Sequence, residues 1–525
     1  MTMYRKIHDR FRSPFFLLAL TAGLLALVVQ SGELGTADTM HRLQTAHSFW
    51  TGEPQVFPNE FPEFGVHGKN GVLQSWYGIG QSLLLLPFDL LGAAIEKIPV
   101  FSAYSGTDPT VRDIVVSYCT NALLAVLTAW LCFRLLRQFE FSVKQSAAGV
   151  LALLFATTHL HYTQNMMENN YIFLLTMIGF SFQYQWLRTG SLRALLIGSA
   201  ALGLNLLTRL TTGMDLLASG LLILLVLWFE GMRGREFWSR CLTYIKIATP
   251  VYLFFGFWDR VYQYHRFGTL TNTYVSIIAA EQKLLHPWYP PAYPFETPFH
   301  IGFFGALFAP EKSIFLFDPL LILVLMVSLF AWKRFTPAIK AYLVTTVCLL
   351  LVYISFYARY TVWSGDFAWG DRYVSTTVEL IAFISLPLLM RHREQLRKSI
   401  WILGIFLVAA SVVIQIASLA FWLPLEIYQM ETLGHPTFVI ALRFKNIMAF
   451  TLGKMDEWGL NNHAMTEDPW DYVHITCWNF LPFLLKRVGA APAWVVHFAM
   501  ALWIASVAAL TAALLRIRAV LRTSV

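Results

Sequence analysis

Asp38 lies in the stretch Gly-Glu-Leu-Gly-Thr-Ala-Asp-Thr-Met-His-Arg, and a carboxylate in such a position can take a proton from an acceptor hydroxyl. Glu33 shares the stretch, and a helix cap or a solvated loop charge is the bland alternative for either. Further along, Gly-Lys-Asn-Gly-Val-Leu-Gln-Ser-Trp-Tyr-Gly-Ile-Gly-Gln (68 to 81) sets Lys69 and Tyr77 among four glycines, which let backbone and ammonium approach an anion closely. Trp76 and Tyr77 read equally as interface aromatics beside a glycine turn. His159, His161 and Glu168, in Thr-His-Leu-His-Tyr-Thr-Gln-Asn-Met-Met-Glu, have the donor types that hold zinc or another divalent cation. Plain loop histidines are the competing account.

Arg209, in Leu-Leu-Thr-Arg-Leu-Thr-Thr, sits at the end of an apolar run where a lone guanidinium would be expensive. It therefore requires a partner, either a ligand phosphate or a carboxylate such as Asp215. Two more stretches are distinctive: Leu-Phe-Ala-Pro-Glu-Lys-Ser-Ile-Phe-Leu-Phe-Asp-Pro, which contains Lys312, and Trp-Ser-Gly-Asp-Phe-Ala-Trp-Gly-Asp-Arg-Tyr (363 to 373). Lys312 and Arg372 can clamp a phosphate, with Asp366 and Asp371 beside them and Trp363 and Trp369 offering faces to a sugar or prenyl chain. Snorkelling cations and belt tryptophans are the alternative.

The elements that must position these groups are membrane helices. The chain has 525 residues, is 57% hydrophobic and only 13% charged, against roughly 25% charge in an average soluble domain. A bilayer span needs about 20 mostly apolar residues. About a dozen runs qualify as spans, near 14–30, 114–133, 145–158, 170–187, 194–208, 213–229, 243–258, 313–331, 337–357, 374–390, 398–421 and 494–515. The expected fold is thus an all-α polytopic membrane protein.

Basic residues set the orientation. Arg134 and Arg137, Arg188 and Arg193, Arg233, Arg235 and Arg240, Lys333 and Arg334, Arg391 to Lys398, and Arg516 to Arg522 fall in alternate connections. With both termini inside, every one of these clusters is cytoplasmic. The run Leu83–Ile95 would break the pattern if it crossed. It is short and holds Pro87 and Asp89, so it reads as an interfacial helix within a first outer loop of residues 31–113. Glu33, Asp38, Lys69, His159, His161, Glu168, Arg209, Arg266, Lys312, Asp366, Asp371 and Arg372 then gather on the outer face.

Several function classes drop out. The formal charge of +8 is spread over topology clusters rather than one patch, so nucleic acid is not a partner. Five cysteines form neither a disulfide framework nor a metal knuckle. There is no P-loop, no Rossmann glycine pattern and no Gly-x-Ser-x-Gly elbow. The first apolar run follows Arg5, Lys6, Arg10 and Arg12 without a small-x-small cleavage site, and reads as a signal anchor.

The order of these motifs resembles the bacterial branch of the GT-C membrane glycosyltransferases, the protein-mannosyltransferase-like superfamily, over roughly residues 10 to 390. The resemblance implies a GT-C-like bundle of about 12 transmembrane helices with interfacial helices in the first outer loop. It implies a polyprenyl-phosphate sugar as donor, a glycan, glycolipid or protein acceptor on the periplasmic face, and Asp38 as general base in an inverting transfer. Donor phosphate or sugar would be held by Lys69, Tyr77, Glu168, Arg209, Lys312, Trp363, Asp366, Asp371 and Arg372, with a divalent cation as an option at His159, His161 and Glu168. Relatives often read Trp-Gly-Pro-Arg-Tyr where this chain has Asp371, which adds a carboxylate before Arg372.

The expected organisation is a catalytic transmembrane unit over 1–421, an outer segment over 422–493, and a last helix with a basic tail over 494–525. The expected location is the bacterial inner membrane, in cell-envelope glycan or glycolipid assembly. A transporter or flippase of lipid-linked sugars is the main alternative; it would place charges near the midplane in repeated halves, whereas here they cluster at outer ends. A polymerase or ligase for surface polysaccharide is the third reading.

Overall fold

The computed structural model describes residues 13–57, 65–102, 109–365, 368–422, 425–426, 429, 438–460, 477–489 and 491–523. Helices occupy all of the expected spans: α1 (Pro14–Val29), then, past α2 (Ala37–Thr51) and α3 (Ile79–Glu96), α4 (Val111–Gln138), α5 (Val143–Ala156), α6 (Asn169–Thr189), α7 (Leu192–Thr208), α8 (Gly213–Phe229) and α9 (Gly234–Phe267). After α10 (Phe299–Phe308) come α11 (Leu320–Ala331), α12 (Pro337–Tyr357), α13 (Ser375–Ala382), α14 (Ser385–Arg391), α15 (Lys398–Ser418), α16 (Val439–Thr451), α17 (Leu481–Val488) and α18 (Ala493–Thr523). The protein is a multi-pass membrane protein. Seven helices among the described residues are long and apolar enough to cross a bilayer: α3, α4, the helical stretch Leu210–Phe229, α9, α12, α15 and α18 up to Arg522.

The remaining passes depart from a simple rod for physical reasons. At 21 residues α6 is long enough, but it carries Asn, Gln and Thr, and most of its side chains are buried by neighbours on all sides. A helix enclosed by protein is relieved of the apolarity that lipid demands. The expected run 374–390 is two short helices, α13 and α14, and the run 313–331 is interrupted at Asp318-Pro319 before α11. Proline removes a donor and disfavours helix at the residue before it.

By length α3 could cross, yet its contacts hold it along one end of the bundle. A Cβ at Gly80 would lie 2.7 Å from the Thr208 nitrogen, at the end of α7, and one at Gly92 would lie 3.1 Å from the Arg112 backbone, at the start of α4. Between them, buried Asp89 accepts from Arg112 Nε at 2.5 Å and Trp50 Nε1 at 2.7 Å. Both ends of α3 therefore meet elements of the same face, as an interfacial helix does. That face is called the loop face below.

A two-stranded antiparallel hairpin, β1 (Gly65–His67) and β2 (Leu73–Ser75), precedes α3, with Asn70 and Gly71 at φ 62° and 73° in its turn. The main apolar core runs through α1, α4, α5, α6, α11, α12 and α13. Chain ends meet: α18 packs on α1, and Trp503 Nε1 donates to the Val28 carbonyl at 2.9 Å. All five cysteines are free.

Candidate active site

The sequence Gly35-Thr36-Ala37-Asp38 starts α2, with Thr36 as N-cap and Asp38 in the first turn, where the helix dipole favours a negative charge. Gly35, at φ +82°, lets this start press against the 165–166 backbone: a Cβ there would lie 2.6 Å from the Asn165 Cα. Thr39 Oγ1 completes the junction by donating to the Met166 carbonyl. The carboxylate of Asp38 is thereby held beside the segment that leads into α6.

Three groups converge on it. Tyr77, delivered by the strand β2 and the turn after it, donates its hydroxyl to Asp38 Oδ1 at 2.6 Å. Arg372, from the loop before α13, donates Nη1 to Asp38 Oδ2 at 2.8 Å. Arg42, one helical turn after Asp38 on the same face, lies over the Tyr77 ring at 4.1 Å. Burial alone would raise the Asp38 pKa, but Arg372 and Arg42 together with the tyrosine hydrogen bond outweigh it, and the carboxyl is held at about 2. Tyr77 is pushed well above its ordinary value by burial and by Asp38.

Glu168 stands at the N-cap position of α6, and its side chain lies between two guanidiniums. Arg42 Nη1 stands 2.9 Å from its Oε2, and Arg209, at the end of α7, bonds its Oε1. The partner that Arg209 requires is thus Glu168 and not Asp215, which instead accepts from Thr176 at 2.9 Å and Tyr353 at 3.1 Å. Arg209 and Arg372 lie 5.5 and 5.3 Å from the ring centre of Tyr373, which stacks on Tyr357 at 4.2 Å. Asp38, Arg42, Tyr77, Glu168, Arg209, Arg372 and Tyr373 thus form one network of charge and ring contacts. Within it, Arg42 Nε and Arg372 Nε are buried donors with no hydrogen-bond partner among the described residues.

The Arg372 loop is fixed from behind. Lys312 Nζ donates to the carbonyls of Ala368 at 2.8 Å and Gly370 at 3.3 Å, and Asn169 Nδ2 donates to the Arg372 carbonyl at 2.7 Å. Asp371 accepts from the Tyr373 backbone at 3.0 Å; burial pushes its pKa up to about 7, against the opposing pull of that hydrogen bond, Lys312, Arg372 and Arg209. Gly365, at φ +76°, brings its backbone against Arg372, where a Cβ would sit 2.8 Å from the side-chain Cγ.

Other expected residues lie elsewhere. Lys69 is exposed at the hairpin turn, 5.7 Å from the Tyr264 ring, and does not reach the cluster. Trp363 covers Gly305 of α10. Asp366 falls outside the described residues. The three metal candidates point apart: His159 Nδ1 to Glu379 at 3.1 Å, His161 onto the Trp369 ring, and Glu168 between its arginines. Among the described residues no group of three or more His, Cys, Asp or Glu side chains could hold a metal ion, and the three candidates offered as an optional cation site are not brought together.

Sequence reasoning passed over Arg42, Asn169 and Tyr373. Arg42 had a visible signal, its spacing of one turn from Asp38. Asn169 had none, because its role depends on a loop two hundred residues away.

Comparison with family models and with curated proteins gives no match. Among solved structures, the chain is similar to ArnT from Cupriavidus metallidurans bound to undecaprenyl phosphate, with 12% identity, a TM-score of 0.42, and coverage of 94% of this chain and 76% of that one. The apo form of ArnT gives a TM-score of 0.44 at the same identity. The Archaeoglobus fulgidus oligosaccharyltransferase tethered to an acceptor peptide gives 0.40 at 12%, covering 78% of this chain and 56% of that one. The likeness is one of fold alone.

Proposed function

We propose that the protein is an integral membrane glycosyltransferase that moves a sugar from a polyprenyl-phosphate donor to an acceptor hydroxyl at the loop face, the periplasmic side of a bacterial inner membrane. The observation that carries the reading is the contact of Asp38 with Arg372 and Tyr77 in a cluster that also holds Arg42 and Arg209. It puts a base for the acceptor beside cations for a departing phosphate. The motif order of the sequence supports the same assignment.

In the proposed step the acceptor oxygen bonds to the anomeric carbon as the carbon–oxygen bond to the donor phosphate breaks. The acceptor proton passes to Asp38, and the electron pair leaves with the polyprenyl phosphate. In this reading Arg372, whose Nε has no hydrogen-bond partner among the described residues, takes up the phosphate charge, and Arg209 reinforces it through the shared Tyr373 face. Attack opposite the leaving group inverts the anomeric centre.

The test is transfer from a panel of radiolabelled polyprenyl-phosphate sugars by the purified protein, with a membrane extract as acceptor. The wild type should transfer one of them, and Asp38→Asn should lower the rate by roughly 10²–10⁴-fold, the usual range for losing a general base. Undiminished transfer by the variant would remove Asp38 from the chemistry. Donor binding with no transfer by the wild type would favour a flippase.

A further inference from the structure

The face opposite the site has its own basic cleft. Helix α4 starts at the loop face and, at 28 residues, runs about 42 Å, so its last turns lie at the far end of the bundle. There a cleft of about 680 Å³ opens among the start of α1 and the ends of α4 and α6. This lies in the size range of small-ligand sites, roughly 300–1,000 Å³. Its wall combines Phe15 and Trp130 with Arg134, Arg137 and Arg188, and Glu140 is the opposing carboxylate.

The charges there are only partly answered. Arg134 bonds Gln185 and lies over the Phe182 ring at 3.9 Å, and Arg137 bonds the Phe141 carbonyl. Both hydrogen-bond partners, one an amide side chain and one a backbone carbonyl, are neutral. Arg188 is held by Glu230 at 2.6 Å. Phe15 and Trp130 are more than a third exposed, at 39% and 36%; Trp130 lies one turn before Arg134 on α4, and Phe15 of α1 packs on Phe133 beside it. An aromatic pair next to guanidiniums with spare donors is the arrangement that receives a phosphodiester with acyl chains attached: the rings meet glycerol and chain, and the arginines meet the phosphate.

We propose that this cleft binds the headgroup of an anionic glycerophospholipid of the membrane leaflet opposite the active site. It is a second lipid site, separate from donor binding. Neutral partners of Arg134 and Arg137 leave the charge available.

The test uses the full-length protein, delipidated in detergent, with native mass spectrometry of lipid adducts during titration with phosphatidylglycerol or with phosphatidylcholine of the same chains. The expected result is preferential retention of phosphatidylglycerol, weakened roughly 25-fold in Arg134→Gln with Arg137→Gln, at about fivefold per guanidinium. Glu140→Gln should strengthen it, a gain that misfolding cannot imitate and that keeps the test open if the double variant fails to fold. Equal retention of the two lipids, or unchanged affinity in both variants, would overturn the proposal. So would displacement by free glycerol phosphate at matching concentration, since that would make the cleft a site for soluble anions.

Discussion

Asp38 and Arg372 are 334 residues apart in the chain and 2.8 Å apart in the structure. A carboxylate clamped this way, with its pKa at about 2, is a weak base, because proton transfer is best served by a pKa near the working pH. Under the proposed mechanism the pair must loosen when the donor phosphate arrives and draws Arg372 to itself. The unbound cluster is then a resting arrangement, and binding of the donor switches the base on.

This predicts a difference between two pH profiles. In kcat/KM, which reports the free protein, the acid limb due to Asp38 should lie near pH 2, below the range of a practical assay. In kcat, which reports the bound complex, it should appear at a higher pH, closer to the usual carboxylate value of about 4. Steady-state kinetics from the lowest pH the protein tolerates up to pH 8 would check this; a kcat that stays flat down to about pH 4, as kcat/KM does, would show that Arg372 does not leave Asp38.

The same ion pair contributes to stability with a defined sign. The folded carboxyl titrates below its unfolded value of 3.8, so its stabilisation is present above pH 4 and is lost as pH falls towards about 2. Asp38→Asn should be less stable than wild type at pH 6, by on the order of 2 kcal/mol. Denaturation in detergent at a series of pH values should show the gap closing below pH 4.

Glu168 is itself buried and neutralises two guanidiniums, buried Arg42 and partly buried Arg209, and removing one partner of a buried ion pair typically costs about 3–5 kcal/mol. Glu168→Gln should therefore fall in that range and lower the thermal midpoint markedly. Lys69→Ala, at the exposed hairpin turn, should stay within about 0.5 kcal/mol of wild type. Thermal melts of both variants, with the donor assay beside them, would also decide whether Lys69 touches substrate: unchanged KM would exclude it.

Asp371 works in the opposite sense from Asp38. Its folded pKa of about 7 lies above the unfolded value of 3.8, so the unfolded chain releases this proton first and wild-type stability declines from pH 4 to about 7. Asp371→Asn cannot ionise and should gain stability relative to wild type across that window, with no further gain above it. Melting curves at pH 4.5 and 7.5 would show a widening difference; a constant one would mean that the carboxyl is already ionised in the folded protein.

Much of the fold was legible from sequence because lipid imposes a coarse rule, apolar length between basic breaks, and all of the expected passes are helices. The rule fails inside the bundle. There α6 keeps polar side chains among protein neighbours, and α13 and α14 divide one apolar run in two. At the site, Asp38, Glu168, Arg209 and Arg372 were visible as expensive charges next to apolar runs, but their pairing was not. Which carboxylate faces Arg209 depends on how α6 and α7 are rotated, and proximity in sequence pointed to Asp215. The His-x-His pattern misled for a related reason: His159 and His161 belong to a short helix, His159–Gln164, and their rings pack against different neighbours.

The junction of Trp503 with Val28 bears on how the protein is made. The Val28 carbonyl belongs to the last turn of α1, whose carbonyls lack partners within their own helix. Its donor is supplied by α18, far along the chain, so α1 is completed only once α18 has been made. Until then the face of α1 that α18 covers is open to lipid or to insertion machinery, and the nascent chain carries an unfinished end. A chain cut short before α18 would leave the Val28 carbonyl without that donor and the face of α1 without its cover, however well the preceding helices had inserted.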